Sequence, residues 1–188
     1  MIAWISFLAG VGTLAMLIQI RQKFWSFASQ NASDYANDNN PPFDIRTALN
    51  GTLACDGVIY GPTGRVTSRF TAEFRGEWSG NVGTLKETFY YDSGAVQDRE
   101  WKLTVGNDGR IAATAADIVG KAEGNSLGSA VNLRYAIRLS DNAGGHVLNA
   151  IDWMYITADG TIINRSQFRK YGIKVAELVA TIRPKDAA

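Results

Sequence analysis

The stretch Leu85–Val105, LKETFYYDSGAVQDREWKLTV, decides the fold. Two runs alternating with period two flank Asp92-Ser93-Gly94, a turn signal between strands. Leu85, Glu87, Phe89 and Tyr91 share one face of the first run. Arg99, Trp101, Leu103 and Val105 share one face of the second. A turn centred on Ser93 pairs 91 with 95, 89 with 97 and 87 with 99, so the two inward charges meet across the ladder. A carboxylate and a guanidinium set in an apolar layer need each other. The hairpin therefore belongs to an antiparallel sheet with a polar spot in its buried face, which suits a barrel with an occupied interior.

The same alternation runs outward in both directions. Phe70, Ala72, Phe74, Gly76 and Trp78 oppose Arg69, Thr71, Glu73, Arg75 and Glu77; Val131, Leu133, Tyr135, Ile137 and Leu139 oppose Asn132, Arg134, Ala136 and Arg138. Strands of this kind bury one face and wet the other. About ten segments follow the pattern: 51–60, 66–78, 83–91, 96–105, 110–117, 120–125, 130–139, 146–156, 161–170 and 173–183. Short turns join them, with no amphipathic helix and no long crossover between. So many consecutive antiparallel strands curl, and closure removes their exposed edges. The expectation is an all-β, up-and-down, calycin-like (lipocalin-like) barrel over residues 43–188, with a filled β-sandwich as the alternative.

Residues 1–20, MIAWISFLAGVGTLAMLIQI, carry no charged side chain. About 20 apolar residues suffice for one membrane-spanning helix, and Arg21, Lys23, Phe24 and Trp25 follow in a headgroup-like cluster. A cleaved signal peptide fits less well, because no basic residue precedes the run and no small-x-small site ends it. The basic side then predicts a single-pass inner-membrane protein with its soluble domain in the cytoplasm; the periplasm is the alternative. Residues 21–42, polar and closed by two prolines, read as a linker that keeps the domain near the bilayer.

Composition narrows the function. A net charge of +1 leaves no polyanion-binding surface, so no nucleic-acid partner is expected. The single Cys55 excludes an internal disulfide and a multi-cysteine metal site, and the single His146 excludes a multi-histidine one. No cofactor or metal is expected.

Several stretches resemble the proteobacterial domain-of-unknown-function family 3833: GVIYGPTGRVTSRF at 57–70, LKETFYYDSG at 85–94, REW at 99–101, ADIVGKAEG at 116–124, DWMY at 152–155 and NRSQFRKYG at 164–172. The match covers most of Phe43–Pro184. It implies a proteobacterial source and brings no activity and no residue roles. It also implies a genomic setting near fatty-acid cyclopropanation or related lipid modification. Many members are lipoproteins; this chain departs from them, since its apolar segment holds no cysteine.

The residues that carry chemistry have two readings each. Glu87 with Arg99 is either a ligand anchor, an inward arginine holding a carboxylate or phosphate, or a structural pair that fixes register. Around the second turn, Thr157–Gly160, a four-residue loop pairs 156 with 161 and hence Asp152 with Arg165, with the same two readings. Asp117 precedes a glycine turn and stabilises it, or acts as a base if it faces inward. Phe70, Phe74, Trp78, Phe89, Trp101, Tyr135 and Trp153 line an acyl cavity or fill a solid core. The expected binding set is Glu87, Arg99, Trp101, Asp152, Arg165, Phe89 and Trp78, with no catalytic residue assigned. The leading function is a non-enzymatic barrel that binds a lipid, fatty-acyl or other apolar molecule beside membrane lipids. Arg99 or Arg165 would hold the ligand head. The rivals are an enzyme using Glu87 or Asp152 as acid or base on a lipid-like substrate, and a filled barrel whose outer face binds a membrane partner.

Overall fold

The computed structural model describes residues 26–185 and, ahead of them, residues 7, 10–14, 16, 17, 20, 21 and 24. Its strands are β1 (Gly51–Tyr60), β2 (Val66–Ser79), β3 (Val82–Tyr91), β4 (Val96–Val105), β5 (Arg110–Thr114), β6 (Ile118–Leu127), β7 (Ala130–Arg138), β8 (Val147–Ile156), β9 (Ile162–Lys170) and β10 (Ile173–Pro184). Each pairs antiparallel with its neighbours in sequence, and β1 pairs with β10 to close the barrel. The all-β, up-and-down expectation is met. The apolar segment 1–20 lies for the most part outside the described residues, and among those described no helix is long and apolar enough to cross a membrane.

Four of the hairpins are built alike. In 61–65, 91–95, 106–110 and 157–161 the first residue donates its N–H to the carbonyl of the last, and the glycine in fourth place donates back to the first. Gly64, Gly94, Gly109 and Gly160 all have φ near +80°, between 79° and 83°. This is the three-residue loop that ends in a left-handed residue, where glycine alone pays no steric penalty. The motif makes Glu87 face Arg99, as the sequence predicts. It also corrects the second charged pair. Thr157 bonds Thr161, so Ile156 pairs with Ile162, Asp152 with Ser166, and Trp153 with Arg165. The expected four-residue loop is one residue out, and one residue of slip turns a side chain to the opposite face.

One end of the barrel is plugged. Asp44 accepts a hydrogen bond from the Arg46 N–H (2.9 Å) and caps the single-turn helix α1 (Ile45–Ala48). Phe43, Ile45 and Leu49 are buried there. The Trp78 indole donates to the Leu49 carbonyl at 3.1 Å, and Gly76 lets that carbonyl approach, since a Cβ would collide with it. At the other end, Ile59, Tyr91, Phe168 and Val175 are half-buried against the core.

The stretch expected as a linker packs along the barrel wall from Phe27 to Asp38. Two 3₁₀ turns, Phe27–Ser29 and Ala32–Tyr35, carry it. Tyr35 sits 5.4 Å from the Trp153 ring and 5.3 Å from Tyr155, centroid to centroid. Arg134 donates to the Ala28 carbonyl at 2.9 Å, and Ser129 bonds Asp38. The driving force is local: β8 shows Trp153 and Ile151 on its outer face, and this strap takes them out of water.

Candidate ligand-binding site

The polar spot predicted inside the barrel is real and larger than the hairpin alone suggests. Glu87 on β3 is 8% exposed and Arg99 on β4 lies beside it, Nη1 3.8 Å from Oε2. That distance is an ion pair without a hydrogen bond. The stronger partner of Arg99 is Asp117, whose Oδ2 accepts from Nε at 2.9 Å and Nη2 at 2.7 Å. Asp117 sits in the turn after β5, so its side chain crosses to β4; the reading of it as a turn stabiliser is corrected. The Arg99 guanidinium also lies 6.0 Å from the Phe89 ring and 5.7 Å from Trp101, within cation–π range.

A second group stands across the interior. Asp152 Oδ1 accepts from Asn164 (2.5 Å) and Ser166 (2.7 Å), and the Tyr135 hydroxyl reaches Oδ2 at 3.4 Å. Asn164 and Ser166 enter because the true register turns 162, 164, 166 and 168 inward. Burial pushes Glu87 up from the ordinary 4.5 to about 7; Arg99 opposes this and the charge of Asp152 reinforces it. Burial also raises Asp152, against the pull of Ser166 and Asn164. Burial raises Tyr135 well above its ordinary value, so it stays a neutral donor. Burial works against the charge of Arg99, but the carboxylates of Glu87 and Asp117 outweigh it and hold the guanidinium protonated.

Glu87 and Arg99 of the first group, and all of the second, line a cavity of about 100 Å³ walled by Cys55, Phe70, Phe74, Phe89, Trp101 and Met154, among others. Ligand pockets for drug-sized molecules run to about 300–1,000 Å³, so this one takes a short group and not a whole lipid. Burial pushes the Cys55 thiol up to about 12, which makes it a wall atom and no nucleophile. Glu87 and Arg99 also line a groove of about 590 Å³ on the outside. It exists because β5 is short: β4 pairs with it only over Lys102–Val105, and β4 residues nearer the β3–β4 turn face the groove. The Glu87–Arg99–Asp117 cluster is thus the partition between groove and cavity.

Glu87, Arg99, Phe89, Trp101 and Asp152 are together as the sequence predicts. Trp78 belongs to the plug and does not line the cavity. Arg165 is on the outer wall, bonded to Glu177 at 2.5 Å and 4.6 Å from the Phe27 ring, so it cannot hold a ligand head inside. Trp153 is also outside, fully buried beneath the strap. His146 is exposed beside Lys170.

Two solved structures share the fold. Rv2717c from M. tuberculosis superposes with a TM-score of 0.54 at 17% identity, covering 74% of this chain and 94% of that one. The S-type phycobiliprotein lyase CPES from Guillardia theta superposes with a TM-score of 0.55 at 6% identity, covering 77% and 92%. No curated protein matches the sequence. A family model described as Protein of unknown function (DUF3833) matches residues 22–184, which takes in the strap as well as the barrel.

Proposed function

This chain belongs to that family, DUF3833, and since membership brings no activity with it, we propose a function from the barrel itself: non-enzymatic binding of a lipid, acyl compound or other apolar small molecule beside a membrane. The observation that carries the reading is the interior cavity, apolar in its walls and with Glu87, Arg99, Asp152, Asn164 and Ser166 converging on it. A few placed polar groups in an apolar pocket are the usual form of a small-molecule site. The volume limits what enters to one end of the ligand; a longer tail lies in the groove at the β4–β5 seam or past the half-buried side chains at the unplugged end.

The membrane part of the reading rests on residues 1–20 and on the unplugged end. In the β9–β10 turn there, Tyr171 is 91% exposed and Ile173 69%, with Arg169, Lys170 and Lys174 alongside. Exposed apolar groups among cations suit an anionic bilayer surface. A periplasm-dependent reporter fused after Ala188 is expected to stay silent; activity there moves the domain to the periplasm.

The binding test is mass spectrometry of compounds released by denaturing the full chain, purified without detergent, beside a Cys55→Leu variant that fills the cavity. One compound per chain, missing from the variant, is the expected result. Empty chains after soaking in native lipid extract overturn binding and favour a filled barrel acting through its surface.

A further inference from the structure

We infer that the polar end of the ligand is a protonated amine, paired with Glu87 and ringed by Phe70, Phe89 and Trp101, and not the carboxylate or phosphate that an inward arginine first suggests. The inference rests on the binding reading above and names the chemistry of that same cavity.

Supply and demand for charge come first. Among the described residues Arg99 is the only cation on the cavity wall, and two carboxylates already claim it: Asp117 through two hydrogen bonds, Glu87 through an ion pair. Asp152 is a third carboxylate in the same interior. An anionic ligand would add a fourth around one guanidinium, in a medium where charges are poorly screened. Hydrogen bonding is unbalanced in the same sense. Among the described residues Glu87 Oε2 is buried and has no hydrogen-bond partner; Asp117 Oδ1 is unpaired too, but it belongs to the groove side of the partition and not to the cavity wall. Asp152 Oδ2 has only the long 3.4 Å contact from Tyr135. The site has acceptors to spare, so the ligand that completes it brings N–H donors and a positive charge.

The walls agree. The Phe70 and Phe89 rings meet edge-on at 5.4 Å, and Trp101 meets Tyr135 likewise at 5.5 Å. Phe89 and Trp101 already flank one cation, Arg99, and aromatic faces favour organic cations generally. A metal ion is a poorer occupant, since no three carboxylate, histidine or cysteine side chains among the described residues are placed to share one. The volume suits an amine on a short chain: a cavity of about 150 Å³ holds a benzene, and this one is about 100 Å³.

Glu87 supplies a signature. With its pKa near 7 it carries a proton in part of the free protein at neutral pH. An ammonium beside it favours the ionised form, so binding expels that proton; a carboxylate ligand would do the reverse and draw a proton in.

The experiment is calorimetric titration of the full chain in phosphatidylcholine nanodiscs, with empty discs as blank, using hexylamine, hexanoate and hexanol at pH 6.5. Two buffers of different ionisation enthalpy report proton release. Hexylamine is expected to bind at least tenfold more tightly than the other two, releasing up to one proton. Glu87→Gln should lose tenfold or more of the amine affinity and all of the proton release, while changing hexanol affinity less than twofold. Tighter hexanoate, proton uptake on amine binding, or unchanged amine affinity in Glu87→Gln overturns the inference and leaves the binding reading standing. If none of the three binds while native lipid extract loads the chain, the amine assignment alone falls. If the extract also fails to load it, both fall.

Discussion

The hairpins β3–β4 and β8–β9 share one turn design, and each carries an arginine paired with a glutamate, Glu87 within the first hairpin and Glu177 of the neighbouring strand β10 for the second, yet they read very differently. In β3–β4 the outer row is wet, carrying Lys86, Thr88, Asp98, Glu100 and Lys102, so the inner row stands out and Glu87 falls opposite Arg99. In β8 both rows are largely apolar. Ile151, Trp153 and Tyr155 face outward under the strap, while Ala150, Asp152 and Met154 face inward. The consequence for charge is a reversal. Glu87 is buried in the interior with its carboxyl pushed up to about 7. Glu177, which bonds Arg165 and Lys174 at the outer wall, is held below its ordinary value because those bonds outweigh the burial. The same two side-chain types meet inside the barrel across β3–β4, without a hydrogen bond, and on the outer wall across β9–β10, where Glu177 is as little exposed (7%) but is bonded to two cations.

The largest effect that would test this contrast is at Trp153. Its ring is fully buried on what should be a solvent face, so Trp153→Ala should cost about 3–5 kcal/mol in chemical denaturation. Lys102→Ala, on the outer face of β4, should change stability by no more than about 0.5 kcal/mol. Near-equal effects would mean that the strap does not cover β8 in solution. The arginines follow. Arg99→Ala strands Glu87 in the interior and takes both bonds from the half-buried Asp117, for an expected loss of about 3–5 kcal/mol. Arg165→Ala removes one half-exposed cation and one ring contact but leaves Glu177 bonded to Lys174, for about 1 kcal/mol. Comparable losses from the two would erase the inside–outside distinction.

What the sequence disclosed tracks this difference. Strand number, order and closure were legible because most strands alternate against water, and a wet face is what makes period two visible. Four of the site residues, Glu87, Phe89, Arg99 and Trp101, followed from one correct hairpin. Arg165 was misplaced because Trp153 and Tyr155 hid which face of β8 is inner, and an apolar outer row has no signal of its own until its cover is known. The information was nevertheless present in the turns: GPTGR, YDSGA, GNDGR and TADGT place glycine at the same step, and reading the fourth by the rule of the second gives the right register. Asp117 was out of reach for a different reason. Its partner is on β4, and the bridge depends on β5 ending at Thr114, which no local pattern marks.

The pH profile separates the two glutamates. Glu87 has a raised pKa, so between pH 4.5 and about 7 the folded state keeps a proton that the unfolded chain has lost. Stability from this group is full below 4.5 and falls as pH rises through about 7, by about 3 kcal/mol at most. Glu177 is lowered, so its contribution is present above its ordinary pKa and is lost only as pH falls below it. Denaturation midpoints followed from pH 4.5 to 8 should therefore slope downward in the wild type and flatten in Glu87→Gln. That variant should fold, because Arg99 keeps its two bonds to Asp117. Glu177→Gln should leave this window unchanged and alter only the acid limb. A downward slope that survives in Glu87→Gln would assign it to Asp152, the other raised carboxyl in the cavity.

The smallest effect bears on the turns themselves. Gly94 and Gly160 have φ of 82° and 83°, and an alanine held there pays for its Cβ by about 1–2 kcal/mol. If the two loops are the same, Gly94→Ala and Gly160→Ala should destabilise equally, whatever the surroundings of their hairpins. A four-residue loop at 157–160, the register that would put Arg165 opposite Asp152, does not close on a Thr157–Thr161 pair with glycine in this place. A Gly160→Ala cost well below that of Gly94→Ala would thus reopen that register, and with it a place for Arg165 inside the barrel. Equal costs leave Ser166 opposite Asp152 and Arg165 outside the cavity that Arg99 lines.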